Sequence, residues 1–66
     1  MHTGEKLKIA LAMKQIKSKE MAEKLGTSPQ QVSNWVSSGK ITILTVSDMC
    51  EVLGMTLGEF FAIGEG

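Results

Sequence analysis

The stretch SKEMAEKLGTSPQQVSNW, residues 18–35, contains the signals for two short helices and the turn between them. Its first part places apolar residues at helical spacing: Met21, Ala22 and Leu25. Gly26 follows this stripe directly and supplies a stop, because glycine readily adopts the left-handed conformation in which helices end. We therefore predict a short helix over about 18–25 that ends in a tight turn.

A strong start signal follows three residues later. Ser28 is a good N-cap, Pro29 suits the first helical position, and Gln31 at the third position can complete a capping box. This helix is predicted over about 29–37, where a Ser-Ser-Gly segment ends it. Two short helices joined by a tight glycine-containing turn are the helix-turn-helix pattern.

A further helix is predicted before this unit, from Thr3 to about Gln15. One of its faces carries Leu7, Ala10, Leu11 and the stem of Lys14. Because Ile9 and Met13 project from a nearly opposite face, we expect this helix to be packed on two sides.

Two more helices are predicted after the unit. Thr42 can cap a fourth helix, whose apolar positions step by 3, 4 and 3: Ile43, Val46, Cys50 and Leu53. Gly54 ends it, and Thr56 and Glu59 form a capping box for a last helix that carries Leu57, Phe60 and Phe61. The prediction is an all-α, compact five-helix domain with helix-turn-helix at helices 2 and 3, spanning 1–66 as a single domain with a core over about 5–62.

The charges are divided along the chain, although they sum to zero. Residues 1–40 contain all seven lysines and three acids, a net charge of +4, whereas residues 41–66 contain four acids and no base, a net charge of −4. Such asymmetry suggests a charged partner for one half. The lysines around the helix-turn-helix form a plausible phosphate clamp: Lys17, Lys19, Lys24 and Lys40.

The third helix has an unusual solvent side. Its polar residues are uncharged amides and hydroxyls, at Gln30, Gln31, Ser33 and Asn34, whereas Val32 and Val36 are expected to face inward. A planar amide carries a donor and an acceptor, so it can pair with adenine in the major groove of DNA. A polar but neutral face is therefore suited to reading base edges.

The run from Ser18 to Trp35, followed by Gly39-Lys40, resembles the helix-turn-helix of the lambda repressor and Cro-like family, also called the xenobiotic response element family. The resemblance covers roughly residues 5–61 and extends to Leu53-Gly54 before the fifth helix. It implies sequence-specific binding of a double-stranded DNA operator by a transcriptional regulator, a repressor in particular. It also implies a homodimer with helix 3 (about 29–37) in the major groove.

The resemblance assigns roles by position. Base reading falls to Gln30, Gln31 and Asn34, with Ser33 a lesser candidate, and phosphate contact to Ser18, Thr27, Ser28 and Lys40, to which the lysine cluster adds Lys19. The chain has no arginine, so the commonest guanine contact is missing, and we expect A·T pairs at the positions that Gln30 and Asn34 read.

Three positions depart from the family pattern. Leu11 and Val36 stand where members often have an Arg–Glu ion pair, so an apolar contact is expected in its place. Lys17 stands at the usual N-cap position of helix 2, so this helix is expected to start one residue late with Ser18 as its cap, which weakens a phosphate role for Ser18.

Other functions are considered beside DNA binding. Zero net charge and the second apolar face of helix 1 allow a protein-interaction module of the same fold, antitoxin-like or an anti-repressor partner. An enzyme is disfavoured, because a 66-residue chain leaves little room for a deep pocket and the one histidine, His2, is expected in a frayed terminus. Cys50 is expected in the core.

No cofactor or metal site is expected, since one Cys and one His cannot form a zinc centre. The longest apolar stretch, residues 9–13, is too short to span a bilayer. We expect a cytoplasmic protein with no membrane partner.

Overall fold

Five α-helices follow one another along residues 1–65, the part of the chain that the computed structural model describes. They are α1 (Thr3–Lys14), α2 (Ser18–Leu25), α3 (Pro29–Ser38), α4 (Ile43–Leu53) and α5 (Leu57–Ala62). These residues include no β-strand. The predicted all-α, five-helix architecture is confirmed, and each predicted helix boundary lies within about one residue of the observed one.

Side-chain caps begin most of the helices as the sequence predicts. The hydroxyls of Ser28, Thr42 and Thr56 each accept a hydrogen bond from the backbone N–H three residues later. Thr56 and Glu59 form the complete capping box, and the hydrogen bonds from Thr56 lower the pKa of the Glu59 carboxyl. The capping box predicted at Ser28 is incomplete. The Ser28 hydroxyl accepts from the Gln31 N–H, but within residues 1–65 the Gln31 side chain makes no return bond to the Ser28 backbone, so it is left for other contacts.

The starts of α1 and α2 differ from the expectation. His2 is not frayed: its imidazole Nδ1 accepts hydrogen bonds from the backbone N–H groups of Gly4 (3.0 Å) and Glu5 (3.3 Å), so it caps α1. In α2 the N-cap residue is Lys17 and not Ser18. Lys17 has extended backbone angles and its carbonyl accepts from the Met21 N–H, so the helical ladder already starts there and Ser18 is the first helical residue.

The core draws on all five helices. Its buried apolar side chains are Leu7, Ala10, Leu11, Met21, Ala22, Val32, Val46, Met49, Cys50, Leu53 and Phe60. The predicted inward position of Ile43 is wrong, since this side chain is 57% exposed. Met49 is fully buried instead, which turns the inner face of α4 away from Ile43. Cys50 lies in the core as expected, and burial raises the pKa of its thiol.

Helix α1 packs against both α3 and α5, as its two apolar faces predict, but the expected burial of Met13 is wrong, since this side chain is 60% exposed. One contact between α1 and α5 is made by Lys6, which is only 6% exposed. Its ammonium group donates to the Phe61 carbonyl at 2.5 Å and to the Glu65 carboxylate at 2.8 Å, and lies 5.6 Å from the centre of the Phe61 ring. The hydrogen bond and charge of Lys6 lower the pKa of the Glu65 carboxyl.

Helices α1 and α3 approach each other very closely at Gly4. A Cβ atom at this position would lie 2.9 Å from the Val36 carbonyl carbon and still closer to the carbonyl oxygens of Trp35 and Val36. The absence of a side chain at Gly4 thus allows the start of α1 to rest on the last turns of α3. This contact fixes α3 against the rest of the domain.

Within residues 1–65, every helix falls short of the length and hydropathy that crossing a lipid bilayer requires.

Candidate nucleic-acid interface

The outward face of α3 carries the four predicted base-reading residues. Gln30, Gln31, Ser33 and Asn34 are all exposed, whereas Val32, on the opposite side of the helix, is completely buried. Trp35 and Val36 are half-buried and pack against the core. The structure therefore places these neutral polar side chains together on one accessible helical surface, held by the apolar side of the same helix.

Two of these side chains are bonded to each other. The Gln30 Nε2 group donates a hydrogen bond to Asn34 Oδ1 at 3.1 Å, one helical turn further on. The i, i+4 spacing makes this contact possible, because residues four apart lie above one another on a helix. The outward face of α3 therefore presents a linked pair of amides.

The turn before α3 is tightly built. Gly26 ends α2 with a left-handed backbone, φ +71°, and the backbone N–H of Thr27 donates to the Ala22 carbonyl at 2.9 Å. Ser28 Oγ then accepts from the Gln31 N–H at 3.2 Å. Because this hydroxyl acts as an acceptor there, its own hydrogen remains available to donate outward.

A cleft of about 440 Å³ opens between α1, the start of α2 and α3. Its walls are formed by Lys8, Leu11, Ile16, Lys17, Ser18, Ser33, Val36 and Ser37. Leu11 and Val36, which stand at the ion-pair positions of the family pattern, both line it. The cleft is thus lined by three apolar residues, two lysines and three serines beside the amide face of α3.

Sequence reasoning did not assign Lys8 to the site. Lys8 precedes Leu11 by three residues on α1, so the two side chains lie on neighbouring parts of the helix surface. The family pattern places Leu11 beside the end of α3. The three-residue spacing between Lys8 and Leu11 is therefore the signal from which Lys8 could have been predicted near the same site.

The four lysines predicted as a phosphate clamp are not all together. Lys17 lines the cleft beside Ser18, whereas Lys24 lines a separate depression between α2 and α4 with Asp48 and Glu51. Lys24 therefore lies beside acidic residues of α4, and its part in the phosphate clamp stays a prediction. Lys19 and Lys40 are exposed, Lys40 directly after the Gly39 that ends α3.

A short helix pair with a tight glycine turn, packed so that the second helix presents a polar neutral face, defines a helix-turn-helix DNA-binding module. A family model described as the Cro/C1-type HTH DNA-binding domain matches residues 6–64. The chain therefore belongs to this family, and the resemblance stated above is confirmed.

One curated relative is the "Repressor protein CI" of Enterobacteria phage phi80, which is 34% identical over 63 residues. The match covers 96% of this chain and 26% of the relative, so the chain spans about a quarter of that protein's length. The comparison with solved structures gives no significant match.

Proposed function

We propose that this chain binds double-stranded DNA sequence-specifically as part of a transcriptional regulator, and that it acts as a repressor with α3 in the major groove. The observation that carries the proposal is the exposed amide face of α3 beside a cleft lined by lysines. Membership of a DNA-binding family and similarity to a phage protein named as a repressor support it.

The bases are read by the amide face of α3. Gln30, Gln31 and Asn34 supply paired donors and acceptors, and Ser33 adds a hydroxyl that can bond to several bases. Without arginine the face favours adenine over guanine. The half-sites are therefore expected to contain A·T pairs at the positions facing α3.

Phosphates flank the amide face on two sides. The groups that contact them are the predicted Ser18, Lys19, Thr27, Ser28 and Lys40, together with the cleft lysines Lys8 and Lys17. Ser28 donates its free hydroxyl hydrogen, and each lysine that approaches a phosphate releases a condensed counterion. These contacts orient α3 in the groove and make binding depend on salt.

The DNA-bound form is a homodimer in the cytoplasm, with residues 1–66 of each copy forming one DNA-binding domain. Two copies related by a two-fold axis would place their α3 helices about 34 Å apart, one turn of the duplex. A two-fold dimer binds a palindromic operator with two half-sites. It therefore reads twice the few bases that one short helix reaches.

A second candidate function is a protein-interaction module of the same fold. It is favoured by apolar side chains left at the surface, with Met13 60%, Ile43 57% and Leu44 77% exposed. This alternative predicts weak salt dependence for any DNA binding, because phosphate contacts would not contribute to the partner interface.

The test is a fluorescence titration of the chain with a duplex selected from a random library and with its scrambled counterpart. We expect at least roughly tenfold preference for the selected duplex, and Gln30→Ala should lower this preference by roughly tenfold, since one bidentate base contact discriminates by that order. The logarithm of affinity should fall with the logarithm of salt concentration at a slope of roughly −3 to −4 per chain, from four contacting lysines.

Glu51→Ala is the control, because Glu51 is exposed on α4 beside the separate depression. It should keep the preference for the selected duplex. Equal affinities for both duplexes, unaffected by Gln30→Ala and by salt, would contradict the proposal and favour the protein-interaction module.

A further inference from the structure

The hydrogen bond between Gln30 and Asn34 determines which polar groups each amide can offer to a base. One hydrogen of Gln30 Nε2 is taken by Asn34 Oδ1. Gln30 keeps its carbonyl oxygen and its second amide hydrogen, which are the acceptor and the donor that bidentate pairing with adenine N6 and N7 requires. Gln30 can therefore read adenine while it remains bonded to Asn34.

Asn34 is in a different position. To read adenine, Asn34 would have to accept from N6 through Oδ1, the same oxygen that accepts from Gln30. That oxygen has two lone pairs, so it could accept both hydrogen bonds only in an orientation that suits Gln30 and the base together, whereas the Gln30 carbonyl oxygen has no second hydrogen bond within residues 1–65. The pair is thus asymmetric: one amide is left ready for the base and the other is engaged in holding it.

We propose that Asn34 is a positioning residue that fixes the orientation of the Gln30 amide, and that Gln30 is the residue that reads adenine. This inference rests on the proposed function and refines it, since it replaces direct base reading by Asn34 with a positioning role. Glutamine has three rotatable side-chain bonds and both side chains are exposed, so an unpaired Gln30 would have to be ordered at the moment of binding. The bond to Asn34 orders it beforehand, which strengthens its preference for the matching base.

The test compares base preferences of the wild type, Gln30→Ala, Asn34→Ala, the double variant and Asn34→Asp, each selected from a library of duplexes with random base pairs. We expect one A·T pair per half-site with roughly tenfold preference in the wild type. Gln30→Ala and Asn34→Ala should lose the preference at this same base pair, and the double variant should lose no more than either single variant.

Asn34→Asp separates positioning from direct reading. Its carboxylate can still accept from Gln30 Nε2 but cannot donate to adenine N7. We expect this variant to keep the A·T preference while binding all duplexes more weakly, because the added negative charge repels phosphates. Loss of the preference in Asn34→Asp as well as Asn34→Ala, or relaxation of a different base pair in Asn34→Ala, would overturn the inference.

Nuclear magnetic resonance of the free chain provides a readout without DNA. The order parameter of the Gln30 side-chain amide should fall in Asn34→Ala and stay high in Asn34→Asp, and Glu51→Ala should change neither this order nor the selected duplex. If the protein selects A·T but the order of the Gln30 amide does not depend on Asn34, only the inference is contradicted. If the order of the Gln30 amide does depend on Asn34 but the protein binds all duplexes equally, the proposed function is contradicted, and with it the assignment of Gln30 and Asn34 to base reading.

Discussion

Replacing Gly4 by alanine is expected to lower the free energy of unfolding by about 3 kcal/mol, at the upper end of the usual cost of overpacking. The added methyl group would meet the backbone of Trp35 and Val36, including the Val36 carbonyl carbon at 2.9 Å. Backbone atoms inside a helix cannot rotate away as a side chain can, so α1 or α3 would have to move. For a domain of 66 residues, whose total stability is of order 3–10 kcal/mol, this is a large fraction.

Gly58→Ala is the matched control for this prediction. Both glycines are the second residue of their helix, Gly4 in α1 and Gly58 in α5. At Gly58 a Cβ atom would meet only Thr56 Oγ1, at an ordinary 3.8 Å. Alanine there should raise stability by roughly 0.4–1 kcal/mol, since it restricts the unfolded chain. Urea denaturation followed by circular dichroism measures both changes, and equal effects at the two positions would contradict the role given to the α1–α3 contact.

Removing both cleft lysines, in the variant Lys8→Ala/Lys17→Ala, should weaken DNA binding by roughly ten- to a hundredfold at physiological salt. Both side chains line the cleft that also contains Ser18 at the start of α2 and Ser33 on α3. If each lysine neutralises one phosphate, the salt dependence should become shallower by about 2 in the slope of log affinity against log salt. The weakening should be similar for the selected and the scrambled duplex, because phosphate contacts contain no sequence information.

Lys24→Ala is the control for this variant, as it removes the same charge from the depression formed with Asp48 and Glu51. Its affinity should change less than about twofold, because a distant exposed charge is largely screened at physiological salt. An equal loss for Lys24→Ala and for a single cleft lysine would mean that net charge alone, and no local contact, decides the binding.

Much of the fold could be predicted because its signals are local. Ser28, Thr42 and Thr56 each precede a helix by one residue, and a cap depends only on the chain a few residues further on. The exposure of Met13 and Ile43 and the burial of Lys6 could not be predicted in this way. They depend on how the helices pack against one another, which is a property of the tertiary structure.

The same distinction applies to the site. The amides of α3 could be identified from sequence, because a polar face without charges is visible in the order of residues. The bond from Gln30 to Asn34 depends on two side-chain rotamers. The positions of Lys8 in the cleft and of Lys24 in the separate depression depend on how the helices pack.

The claim that α3 reads DNA is tested most directly by titrating the ¹⁵N-labelled chain with the selected duplex and following every amide signal. We expect the largest shifts on α3, on its Gln30 and Asn34 side-chain amides, and on the start of α2 at Lys17 and Ser18, while the signals of α5 stay nearly unchanged. Largest shifts on α4 and α5, with the side-chain amides of α3 unaffected, would contradict it.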